Sequence, residues 1–189
     1  MGRSERSVGL TPEIDPDAVN AARRFAPSLR DSATWDPQSP RDPEYNCFAW
    51  AARDSERWWD PPGTADWAYW PHDLPTWETL ENYKRLYELE GFQGCDDATL
   101  SEGVEKIALF VGPDGAPSHA ARQLPTGRWT SKLGKGIDLE HDLDTLDGDP
   151  TIGCLAAYMS RPSPGPPPRP PTRIRVITEL PPELRSAAP

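Results

Sequence analysis

Apolar positions along the chain change period near Val104, and that change divides the sequence into a helical part and a strand-rich part. Residues 1–44 are polar and interrupted by proline. They have room for one short helix, with Asp15 as N-cap, Pro16 at the first helical position and Ala18–Ala26 following. Ser28–Glu44 reads as loop. The run Tyr45-Asn-Cys-Phe-Ala-Trp-Ala-Ala then places six apolar residues directly after Asn46, a good N-cap, and before the polar segment 53–57. This predicts a helix from Cys47 to about Trp58, buried on every side at its start and exposed at its end. A second helix is expected between Thr76, as N-cap, and Gly91, with Trp77, Leu80, Tyr83, Tyr87 and Leu89 as its apolar stripe. Beyond Val104, strands are expected at Lys106–Val111, Pro117–Leu124, Arg128–Leu133 and Thr151–Met159, with turns at 112–115 and 125–127. Asp138–Leu146 reads as a short helix, and Thr172–Thr178 as a further edge strand. Helices followed by an antiparallel meander make an α+β domain.

Composition refines the boundaries. The 189 residues include 24 prolines, ten of them in Arg161–Pro189, and that segment opens with a run of polyproline-II character. The expected organisation is an N-terminal extension over 1–43, an α+β domain over 44–160 and a proline-rich tail over 161–189. Net charge is -10. Five Arg and two Glu put +3 on the tail and leave −13 on the remainder, which repels phosphate backbones and argues against nucleic acid as a partner. No apolar run reaches 18 residues, so no membrane span is expected, and the start shows no secretory leader. Three cysteines without a CxxC pair fit free thiols in a reducing cytoplasm.

Two residues carry the candidate chemistry. Cys47, in the first turn of a predicted helix, would feel the positive end of the helix dipole and free backbone N–H groups, which favour the thiolate. The competing reading is a small buried structural cysteine. His119 lies on a predicted strand between small neighbours, with room for another group to approach. A helix-start cysteine followed by a strand-borne histidine is the order of papain-like thiol enzymes, in which a third polar group orients the histidine. Glu140 is the preferred third member, with Asp138, His141 and Ser131 as alternatives. Lys132 would bind a substrate carboxylate or close an ion pair. Eight Trp is high for this length, and Trp58, Trp59, Trp67 and Trp70 share one proline-rich loop, as the wall or lid of an aromatic cleft. HExxH and paired-cysteine spacings are absent, so neither metal nor cofactor is expected.

Several motifs occur in one order: Tyr45-Asn-Cys-Phe-Ala-Trp-Ala, Tyr69-Trp-Pro, Gly91-Phe-Gln-Gly-Cys-Asp-Asp, Val104-Glu-Lys-Ile-Ala-Leu, His119-Ala-Ala-Arg-Gln-Leu-Pro, Trp129-Thr-Ser-Lys-Leu-Gly and Leu139-Glu-His. Over about residues 44–162 they resemble an uncharacterised, mostly bacterial domain family. More distantly, Cys47 and His119 look like the pair of the NlpC/P60-type papain-like fold, whose members are thiol hydrolases of amide bonds. That resemblance implies a Cys-bearing helix packed on a small antiparallel sheet. It also implies a hydrolase or acyl transferase acting on a peptide or small-molecule amide or a thioester, with Cys47 as nucleophile and His119 as base; the residues themselves add Glu140 as orienter, and Trp58, Trp59, Trp70 and Lys132 as substrate contacts. The alternative is a non-catalytic interaction module using the Trp-rich loop. An open Cys47 within reach of His119 favours the first, and a buried Cys47 the second.

Overall fold

The computed structural model describes residues 14–31, 33–63 and 67–165. The proline-rich segment from 166 onward, including the strand expected at 172–178, lies outside them.

Helix α1 (Pro16–Phe25) starts where the sequence predicts, with Asp15 Oδ1 accepting from the N–H of Asp17 at 2.9 Å and proline in the first turn. A 3-10 turn over Pro27–Arg30 follows, then strand β1 (Trp35–Pro37), helix α2 (Cys47–Ala51) and helix α3 (Leu80–Leu89). The remaining strands are β2 (Gln93–Cys95), β3 (Val104–Val111), β4 (Pro117–Gln123), β5 (Trp129–Lys132), β6 (Asp138–His141) and β7 (Cys154–Pro162). They form one seven-stranded sheet in the order β1-β6-β5-β4-β3-β7-β2, antiparallel at every pairing.

The sheet lies between two helical layers. On one face Ile107, Leu109, Ala120 and Met159 pack with Cys47, Phe48, Ala49 and Ala51 of α2 and Tyr83, Leu86 and Tyr87 of α3. On the other, Ala108, Phe110, Ala121, Trp129 and Leu139 pack with Ala18 and Ala22 of α1, Leu29 and Trp35. Successive residues of β3 and β4 thus serve opposite cores, as a period of two requires. Alanines at 108, 120 and 121 keep the central strands thin enough for both layers to approach.

Four expectations about elements are corrected. The helix at Cys47 stops at Ala51, not near Trp58. Arg53 turns into the left-handed region (φ 70), the N–H of Asp54 donates to the carbonyl of Ala49 at 2.9 Å and that of Arg53 to Trp50 at 3.0 Å, which is a Schellman ending. A residue with a Cβ in this conformation costs on the order of 1 kcal/mol or more relative to glycine. Helix α3 starts at Leu80 because the hydroxyl of Thr79, not Thr76, accepts from the N–H of Asn82 at 3.3 Å. Asp138–His141 is a strand, not a helix: Leu139 and His141 face the α1 side while Asp138 and Glu140 face the other, and the Leu133–Ile137 turn joins β5 to β6 as a hairpin. Finally, the described part of the segment before residue 44, from residue 14 on, packs into the domain. Ala18, Ala22, Ala26, Leu29 and Trp35 complete the second core, and Trp35 donates its indole N–H to the carbonyl of Leu29 at 3.0 Å.

Candidate functional site

Cys47 occupies the first position of α2, whose N-cap Asn46 accepts from the N–H of Ala49 at 3.1 Å. The Asn46 amide also donates to the carbonyl of Trp59 at 2.7 Å, tying the helix start to the Trp-rich loop. Tyr87 donates its hydroxyl to the carbonyl of Phe48 at 2.8 Å and anchors the helix from α3. The thiol therefore sits inside the core, with the residue 7% exposed. Burial pushes its pKa up to about 12, against smaller opposing contributions from backbone groups, Ala120 first. Five residues give α2 little dipole, and desolvation outweighs it.

His119 is on the other side of the sheet. Ala120 packs with Cys47, so its neighbour His119 points the opposite way, pairing across the ladder with Phe110 at a ring-centroid distance of 5.6 Å. Its partner is Ser131. His119 Nε2 lies 2.9 Å from Ser131 Oγ, which lies 2.8 Å from His141 Nε2, and His141 Nδ1 lies 2.8 Å from the carbonyl of Asp142. The carbonyl only accepts, so His141 carries its proton on Nδ1, Ser131 donates to His141 Nε2, and His119 donates from Nε2 to Ser131. All three residues are buried. Burial first, and the neighbouring His141 second, pull the pKa of His119 down to about 3, and burial pulls that of His141 to about 4.

The expected triad is therefore not assembled. Glu140 faces away from His119 and pairs with Arg128, whose Nε lies 3.3 Å from Glu140 Oε1. The same guanidinium reaches Asp36 at 3.2 Å and Asp142 at 3.6 Å. Of the candidate third members, Ser131 and His141 do meet His119, as a buried structural chain. Lys132 is no surface contact: it is fully buried, 3.8 Å from Asp138 Oδ1 and hydrogen-bonded to the carbonyl of Gly136. Asp138 in turn accepts from the Tyr45 hydroxyl at 2.7 Å. Two of the expected substrate contacts are core residues. Trp59 is 1% exposed, with its indole N–H donating to Asp54 at 2.9 Å, and Trp70 packs edge-on against Tyr83.

Trp58 keeps its place at the surface. With Trp67 it forms an edge-to-face pair, centroids 5.8 Å apart, on the wall of an open groove of about 700 Å³. Pro43, Glu44, Glu56, Tyr69 and Lys135 complete the lining with Arg57. The Arg57 guanidinium lies 3.9 Å from the Tyr69 ring centroid, and the Lys135 ammonium 5.8 Å from that of Trp58. Arg57 is held in turn by Asp54 at 2.7 Å. Trp67 is 62% exposed.

Residues 37–160 match the profile of a family described as a domain of unknown function, DUF7689. The chain belongs to that family. The matched span of the DUF7689 domain begins at the end of β1 and runs into β7, so α1 and most of β1, which complete its second core, precede it. No curated protein and no solved structure matches the chain. Among the described residues, no helix is long and apolar enough to cross a membrane, and no group of three or more His, Cys, Asp or Glu is placed to hold a metal ion.

Proposed function

We propose that this chain is a non-catalytic interaction module that grips a peptide partner in the Trp58–Trp67 groove. The observation that carries the reading is the indole pair itself, Trp67 exposed and Trp58 half-buried, set beside two cation–aromatic contacts in an open groove. Exposed tryptophans with a polar rim are the composition of protein-contact surfaces, where an indole supplies large contact area at little entropic cost. Glu44 and Glu56 together with Arg57 and Lys135 give the groove both signs of charge. The burial of Cys47 supports the same reading by removing the thiol from solvent. A peptide-display selection against the full chain tests it. Enriched peptides should lose binding to the Trp58→Ala/Trp67→Ala double variant. Equal enrichment on both proteins would contradict the proposal.

A second reading, a papain-like thiol hydrolase related to the NlpC/P60 type, draws on one observation: the α2 start packs directly on β4, with Cys47 beside Ala120, the residue next to His119. It needs a conformer in which β4 slips by one residue, because a one-residue slip exchanges the faces of every side chain on a strand.

A further inference from the structure

A different part of the α2 face carries unbalanced charge. Glu105, at the start of β3, is buried and faces three guanidiniums: Arg53 Nε hydrogen-bonds to Oε1, Arg161 approaches Oε2 at 2.8 Å through both Nε and Nη2, and Arg122 Nε, which donates to the carbonyl of Trp50 at 3.5 Å, lies 3.9 Å from Oε1. Three guanidiniums, one of them partly open to solvent, against one carboxylate leave a local +2 in a chain whose net charge is -10. Arg122 is itself 9% exposed, stacked 5.3 Å from the Trp50 ring centroid, and burial lowers its pKa despite Glu105. Arg161 spends its other N–H groups on the carbonyls of Glu90 and Ala52, at 2.9 and 3.2 Å. Arg53 meets Glu105 through Nε alone and keeps a third of its side chain open.

Arg53 lines a cavity of about 360 Å³, walled mainly by apolar groups including Leu100, Val104, Leu124 and Pro125, together with the buried Glu105 and the exposed Glu102. The volume is within the range of small-ligand sites. Arg53 is also the one described non-glycine residue with positive φ, held in a conformation that glycine adopts more readily. A side chain kept at a strained position, facing a cavity with a free guanidinium edge, is the arrangement expected where that side chain has work beyond folding.

The geometry points to a binding site for a small apolar carboxylate, its anionic head on the Arg53 guanidinium and its hydrocarbon against Leu100, Val104 and Leu124. Guanidinium recognises carboxylate through paired N–H donors, and the arginines behind Arg53 supply the balancing positive field. Even with Glu102 counted, the local charge stays positive. The site is distinct from the Trp58–Trp67 groove, and no residue lines both.

Octanoate is the probe, titrated into the full chain and followed by amide resonances of Gly103, Val104 and Leu124. Saturable shifts are expected at millimolar or tighter affinity, with octanol binding at least tenfold more weakly. Arg53→Gln should weaken octanoate at least tenfold. Leu100→Asp, which leaves the arginines untouched and puts a carboxylate in the cavity, should do the same, and it decides the question alone if Arg53→Gln does not fold. Absence of saturable shifts up to about 10 mM, octanol binding as tightly as octanoate, or unchanged affinity in Leu100→Asp would each overturn the assignment.

Discussion

Lowering pH from 7 to 5 should destabilise this domain sharply, through His119 and His141. Both imidazoles are buried and both have folded pKa values far below the ordinary 6.5, at about 3 and about 4. A histidine with a depressed folded pKa binds fewer protons folded than unfolded throughout the interval between the two values. Stability therefore rises with pH in that interval, is complete above about 6.5, and is lost as pH falls towards the folded pKa. Each such group contributes up to about 1.4 kcal/mol per pH unit, so the pair approaches a slope of roughly 3 kcal/mol per unit and loses about 4 kcal/mol between pH 7 and 5. That is comparable with the whole stability of a marginal domain, about 5 kcal/mol. Urea unfolding at pH 7, 6 and 5 measures it directly, with the midpoint converted through the slope m. His141→Asn should roughly halve the pH dependence whatever it does to stability at pH 7, because it removes one of the two titrating groups. A stability unchanged between pH 7 and 5, or His119 and His141 imidazole resonances titrating near 6.5 in the native state, would refute the reasoning.

Trp35→Ala should cost about 3–5 kcal/mol in urea unfolding, since it empties a buried indole site between α1 and the sheet and orphans the Leu29 carbonyl. Trp67→Ala should change stability by no more than about 0.5 kcal/mol, because the ring is mostly in solvent; a larger loss would place it in the core. Glu105→Gln should cost about 3 kcal/mol or more by leaving three guanidiniums without a carboxylate, and unchanged thermal melting would show that they are solvated. Gly153→Ala should give little folded protein by circular dichroism, as φ is +93 and a Cβ there would stand 2.1 Å from the carbonyl oxygen of Val111.

The strands and caps that obey local rules were legible in the sequence. Asp15-Pro16 begins α1, Asn46 caps α2, and the turns at Gly112–Gly115 and Pro125–Gly127 separate β3, β4 and β5. What failed depends on tertiary partners. Nothing in the composition of residues 53–57 distinguishes a continuing helix from a Schellman ending, because a non-glycine residue, Arg53, takes the left-handed position and hydrogen-bonds to Glu105, about fifty residues away. The sequence predicts a helix at Asp138, yet the alternation in Asp138-Leu-Glu-His is the strand signal, with Leu139 and His141 on one face. The Cys47–His119 pairing failed on parity: Ala120, not His119, shares the face of α2, and one residue along a strand reverses the side chain. The three arginines around Glu105 are not legible as a group, because Arg53 follows α2, Arg122 lies on β4 and Arg161 on β7, with no regular spacing.

Whether Cys47 is a nucleophile or a core residue is the point on which the functional account turns. Brief iodoacetamide alkylation of the native full chain across pH 6 to 9, with each cysteine mapped by mass, tests it directly. Cys154 is exposed and Cys95 half-buried, so both should label, while Cys47, buried and with its pKa near 12, should stay unmodified until the protein unfolds. Preferential labelling of Cys47, with a midpoint below pH 8, would contradict the account and restore the thiol-hydrolase reading.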